Sequence, residues 1–150
     1  MNSRIAGVAV ALILLAGCSA SSTQLVPMPP DGAELANPEM TVMYLFRVPG
    51  SLSPQAPLHI TISGKDVGWI GGGSYLKFEM PPGLHNIRME LKRDLEKNLV
   101  GTDYGDVKPG KIYYGEIDFP ISRSRRPKLT GLSEREGKAR VAGMKPAKVQ

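Results

Sequence analysis

The sequence of 150 residues predicts an all-β fold, an antiparallel β-sandwich of about seven strands closed by a short C-terminal helix. Three observations predict it. From Thr41 onward, short β-branched and aromatic runs are separated by Gly and Pro signals, the spacing of a sandwich or barrel. Several of those runs alternate apolar and polar residues with period two. After Pro120 the strand pattern stops, and Ser133 followed three residues on by Glu136 has the spacing of a helix capping box.

The first run, TVMYLFRV at 41–48, is apolar on both faces, as a central strand covered on each side requires. In PLHITIS at 57–63, Leu58, Ile60 and Ile62 share one face and His59, Thr61 and Ser63 the other, which predicts a half-buried strand. Gly64-Lys65 supplies a tight turn into DVGWI, and three glycines then break the pattern as a flexible connection. Leu76, Phe78 and Met80 point inward from the next strand. Pro82-Gly83 fits a type II turn, and Ile87, Met89 and Leu91 share a face on the return, so a hairpin is expected over 75–91. A polar turn around 94–98 follows. Pro109-Gly110 then leads into KIYYGEIDF at 111–119, with Tyr113, Ile117 and Phe119 on one face. Residues 134–142 form the predicted helix, weakened by Gly137, and the last residues are expected to fray.

The segment ahead of this body has the grammar of a secretory signal. Arg4 gives a positive start, and Ile5 to Gly17 form an uncharged apolar stretch too short for the roughly 18 residues of a spanning helix. Leu15, Ala16, Gly17 and Cys18 resemble the lipobox of bacterial lipoproteins. Cys18 is the single cysteine, so in an oxidising compartment it has no intramolecular disulfide partner. The lipobox resemblance implies cleavage before Cys18, a diacylglycerol on its sulfur and a third acyl chain on its amine, an anchor of effectively permanent strength. Ser19 in place of Asp implies release to the outer membrane; the expected location is lipid-anchored there, on the periplasmic face. The expected organisation is a signal peptide over 1–17, a lipidated mobile tether over 18–40, a sandwich over 41–120 and a basic extension over 121–150.

Charge divides the same way. Residues 18–120 carry nine Lys/Arg against twelve Asp/Glu, net −3, whereas residues 121–150 carry nine against two, net +7. A basic tail in an exported protein suits lipid phosphates, lipopolysaccharide or peptidoglycan, and export argues against nucleic acid.

Residues 60–91, ITISGKDVGWIGGGSYLKFEMPPGLHNIRMEL, together with Val107-x-Pro109-Gly110-x-x-Tyr113, resemble a family of small bacterial lipoproteins of unknown function and the wider group of PEGA-type β-sandwich modules. The shared grammar is Gly64-Lys65, the stop near Gly68, the Gly-rich break and Pro82-Gly83-x-His85. The chain departs from it in lacking the Pro-Glu-Gly-Ala tetrapeptide and in carrying the basic extension. The resemblance implies an immunoglobulin-like or transthyretin-like sandwich on an envelope surface, and turn-and-strand patterns carry no catalytic meaning.

Candidate chemistry is sparse. Gly71-Gly72-Gly73-Ser74 precedes a strand rather than a helix, so it lacks the amides of a phosphate loop, and Ser74 is outside a Gly-x-Ser-x-Gly elbow. His59 and His85 are the only imidazoles, and with Asp66 they compose the single conceivable metal or acid-base group; no spacing joins a Ser-His-Asp set. Trp69 beside Gly68 reads as a core plug or as a ring that contacts a sugar or partner. Arg123, Arg125, Arg126 and Lys128 read as a solvated flank or as a patch for phosphate or carboxylate. The expectation is a non-catalytic envelope binding or scaffolding module without cofactor, held to the membrane through Cys18. The alternative is an envelope enzyme or metal-binding protein built on His59, His85 and nearby acids.

Overall fold

The computed structural model describes residues 26–27, 35, 37–49, 56–91, 99–118 and 126–147. Ten strands and one helix follow in order: β1 (Val26–Pro27), β2 (Thr41–Arg47), β3 (Leu58–Ile62), β4 (Lys65–Ile70), β5 (Ser74–Met80), β6 (Gly83–Leu91), β7 (Leu99–Val107), β8 (Ile112–Asp118), β9 (Lys128–Leu132), α1 (Glu134–Val141) and β10 (Lys145–Pro146). They form a β-sandwich. The larger sheet runs β1-β5-β2-β8-β9 with β10 also on β5, and the smaller runs β4-β3-β6-β7. Pairing is antiparallel except at β2–β8 and β5–β10.

The alternating patterns decide the core. Leu58, Ile60 and Ile62 from β3, Leu76, Phe78 and Met80 from β5, and Ile87, Met89 and Leu91 from β6 fall in one buried cluster between the sheets. The two-faced apolar run of β2 is central in the larger sheet, and all seven of its residues are buried. Met43 and Leu45 enter the inter-sheet core, while Val42, Tyr44 and Phe46 enter a second cluster on the outer face with Tyr114, Leu35, Val141 and Met144. Tyr44 stacks on Tyr114 at 4.9 Å between ring centroids, and the Lys77 ammonium lies 5.3 Å from the Tyr44 ring. Arg47 at the end of β2 is 1% exposed and donates to the Ala56 carbonyl at 2.8 Å; burial pulls its guanidinium below the ordinary pKa.

The expected hairpin over 75–91 is corrected. β5 pairs with β2, β1 and β10, whereas β6 pairs with β3 and β7, so Pro82-Gly83 is an arch that carries the chain from one sheet to the other. Period two says which side chains are buried but not which strand lies alongside. Two strands facing each other across the core bury the same residues as two strands paired in one sheet. Pro109-Gly110 makes a second such arch between β7 and β8. Gly110 sits at φ 64, and its N–H donates to Met40 at 2.8 Å.

His85, 9% exposed, braces the first arch. Its Nε2–H donates to the Pro81 carbonyl at 2.9 Å, and Nδ1 lies 3.1 Å from the Ser63 hydroxyl. Ser63 belongs to the β3–β4 turn, whose central pair is Ser63-Gly64 rather than Gly64-Lys65. Both have positive φ, 47 and 80, and Ile62 faces Lys65 across the ladder.

Further findings change or add to the expectations. The Gly-rich break is a tied turn rather than a flexible link: the Ser74 hydroxyl accepts from Gly71 N–H at 3.0 Å and donates to the Gly71 carbonyl at 2.8 Å, and Gly73 N–H donates to Arg47 at 2.7 Å. The stretch Leu99–Val107 is a nine-residue strand. The boundary at 120 moves as well, because β9 extends the larger sheet beyond β8, α1 packs on β8 and β10 pairs with β5. On the N-terminal side, β1 pairs with β5 and Leu35 packs on the outer cluster, so part of the expected mobile tether belongs to the sandwich. The helix matches its capping-box prediction. Ser133 and Glu136 bond reciprocally, with Ser133 N–H donating to the Glu136 carboxylate at 3.2 Å. Phe119 and the turn at 94–98 lie outside the described residues.

Candidate binding face

The two outer faces of the sandwich differ. On the larger sheet, α1, Leu35 and Met144 cover the aromatic side chains. On the smaller sheet no described element covers the outward side chains of β3, β4, β6 and β7. Register fixes what that open face displays. His59 lies between Trp69 and Glu90; Thr61 lies between Asp66 and Arg88; Thr102 flanks Arg88, and Tyr104 lies opposite Asn86. Leu84 and Tyr104 occupy diagonal positions of the β6–β7 ladder and are 70% and 68% exposed.

A β-bulge shapes the β4 end of this face. Ile60 pairs with Gly68 but Thr61 pairs with Asp66, so Val67 is the extra residue, and Gly68 takes φ 132. Val67 is buried, and Asp66 swings to accept from His59 Nε2 at 2.8 Å. The His59 ring also contacts Trp69, with centroids 4.7 Å apart. Trp69 is therefore half-buried on the outer face rather than a core plug. Polar side chains on the face pair among themselves: His59 with Asp66, Arg88 with Glu90 at 3.2 Å, and Lys108 with Asp106 at 2.6 Å. The Asp106 partner raises the Lys108 pKa through a hydrogen bond and through charge. Beside them the face exposes apolar and aromatic area at Leu84 and Tyr104, the kind that marks contact surfaces.

His59 and His85 lie on opposite faces of the smaller sheet, since His59 faces outward beside Glu90 and His85 shares the inward register of Ile87. The acid-base or metal group that would use both does not assemble. Among the described residues no three His, Cys, Asp or Glu side chains are placed to hold a metal. Ser63 and His85 do meet, but the third partner is the Pro81 carbonyl rather than a carboxylate, and the pair ties a turn to an arch.

Lys128 is exposed at the start of β9 on the helix-bearing side of the larger sheet, and Arg126, two residues before it, is exposed. Cys18, Leu15, Ala16, Gly17, Arg123 and Arg125 lie outside the described residues. Among the described residues no helix is long and apolar enough to cross a membrane.

Sequence reasoning missed Leu84 and Tyr104, and missed Asp103. Tyr104 and Asp103 belong to LVGTDYGDV, where the inward positions hold Gly101, Asp103 and Gly105 instead of bulky apolar residues, so the usual strand signal is absent. Those small residues leave a cavity of about 240 Å³ between β7 and the β8–β9 pair, lined by Met43, Ile87, Val107, Tyr113 and Leu129. It is smaller than the roughly 300–1,000 Å³ of most ligand pockets. The chain matches no family model and no curated protein sequence.

Proposed function

We propose that this chain is an outer-membrane lipoprotein, acylated at Cys18, whose sandwich serves as a non-catalytic binding module, and that it engages its partner through the open face of the smaller sheet. The PEGA-like, immunoglobulin-like reading of its strand grammar belongs to the same proposal. The observation that carries the binding reading is the difference between the two outer faces. One is sealed by α1 and chain-terminal segments, while the other presents Tyr104, Leu84 and the Trp69–His59 pair to solvent. Aromatic side chains with few internal rotations lose little entropy on contact, which suits them to recognition.

Site-specific photocrosslinking in living cells tests this. A crosslinker at Tyr104 should trap a discrete envelope component, and one at Thr130, exposed on the opposite side, should not. Equal trapping from both positions, or none from Tyr104, would reject the open face as the binding surface. Mass spectrometry of the exported form tests the anchor: a diacylglyceryl Cys18 at the N-terminus is expected, and a bare thiol or retained leader would remove it.

A further inference from the structure

We infer that the helix-bearing side of the larger sheet lies against the anionic phospholipid surface in which Cys18 is anchored, so that the smaller sheet is presented away from the bilayer. The inference rests on the anchoring reading above and adds an orientation to it.

Two features carry it, a short leash that holds the sandwich close to the bilayer and a charge distribution that selects the face. The first is the length of the leash. Cys18 and Val26 are eight residues apart, and Val26 is held by pairing with Glu79 on β5. An extended chain of that length reaches at most about 28 Å. Without β1, the leash would run to Leu35, which packs in the outer cluster, and reach about 60 Å, roughly twice as far. Pairing at β1 therefore ties the free edge of the larger sheet close to the membrane. β10 pairs with the same strand, at Ser74 and Tyr75, so both ends of the described chain meet one edge.

The second feature is charge. Residues 126–147 hold Arg126, Lys128, Arg135, Lys138, Arg140 and Lys145 against Glu134 and Glu136, six against two, net +4. Lys128 has the outward register of the larger sheet, since Leu132 two positions away from Thr130 packs in the outer cluster. Lys138 and Arg140 keep 45% and 52% of their side chains exposed even with Glu134 and Glu116 as partners. On the open face of the smaller sheet, by contrast, the described basic side chains Arg88 and Lys108 stand against Asp66, Glu90 and Asp106, two against three, net −1. Attraction to lipid phosphates fades over a Debye length of about 10 Å, so it acts only on a face that a short leash already holds near the surface.

The test uses the full lipidated protein in phosphatidylcholine vesicles containing phosphatidylglycerol, with a fraction of the lipids carrying a headgroup nitroxide. Trp69 is the single tryptophan and reports on the open face. A second reporter is made by Trp69→Phe with Thr130→Trp, at an exposed position of β9. The nitroxide should quench the β9 reporter severalfold more than Trp69. Raised salt, or Lys128→Glu with Arg135→Glu, should bring the two toward equality. Equal quenching at low salt, stronger quenching of Trp69, or a difference that also persists in vesicles of phosphatidylcholine alone would overturn the orientation. Should the anchoring reading itself fail, the protein would not float with vesicles and Cys18 would carry no acyl mass. A floating, acylated protein with equal quenching would refute the orientation alone.

Discussion

The carboxylate of Asp103, on the edge strand of one sheet, accepts the backbone N–H of Leu129, on the edge strand of the other, at 2.7 Å. An edge strand leaves every second amide without a ladder partner, and here one of those amides is satisfied across the sandwich. Close by, Gly101 meets Pro127 so tightly that a β-carbon would overlap the Pro127 carbonyl. The two sheets are thus joined along one side. Asp103→Ala should cost about 1.5–3 kcal/mol, the range for a hydrogen bond to a charged group, while Asp103→Asn, which keeps an acceptor, should cost less. Chemical denaturation measures both; an unchanged midpoint for Asp103→Ala would mean that this bond contributes nothing to closure.

Gly137 carries the opposite of its usual meaning. In an isolated helix Gly→Ala gains about 1 kcal/mol. Gly137 is buried against Tyr114, where an added β-carbon would overlap the ring. Gly137→Ala should therefore lower the melting temperature and raise hydrogen exchange in α1, by pushing the helix off β8. A stabilised variant would show that the helix can shift without loss.

The cap of α1 makes a pH-dependent contribution. The Glu136 pKa is held below the ordinary carboxylate range, first by the Ser133 hydroxyl and then by the Ser133 backbone N–H. The folded state binds that proton more weakly than the unfolded chain. The stabilisation is complete above the unfolded glutamate pKa and disappears as pH falls through the lower folded value. Hydrogen exchange of the α1 amides should accelerate over that acidic window, and Glu136→Gln should flatten the dependence. Ser133→Ala should cost about 1 kcal/mol at neutral pH.

At the Pro82-Gly83 arch, His85→Ala would leave the Pro81 carbonyl and the Ser63 hydroxyl without their partner and should cost about 1–3 kcal/mol. His85→Gln, with a donor and an acceptor on one amide, should recover part of that loss. Thermal melts of the two variants at neutral pH make the comparison, and equal losses would mean that packing rather than bonding holds the arch.

The sequence by itself determined which side chains enter the core and that the chain would be a sandwich. Burial follows from period two, and period two is visible along one strand without knowledge of any other: Leu76, Phe78, Met80, Ile87, Met89 and Leu91 are all where their spacing puts them. It also determined the cap at Ser133, because a capping box is closed within four residues. Only the tertiary structure decided which strands are neighbours. It made Pro82-Gly83 an arch, brought Lys128–Leu132 onto β8, and gave β7 its place although Gly101, Asp103 and Gly105 carry no apolar signal. The same division holds for the candidate face. Trp69 was legible as a ring that needs a place, but its place beside His59 depends on a bulge set by pairing between β3 and β4. Tyr104 became conspicuous only because no described element packs over the smaller sheet. Side-chain period is a local property of a strand, whereas pairing and coverage are contacts between segments distant in sequence, and a single chain read in order does not contain them.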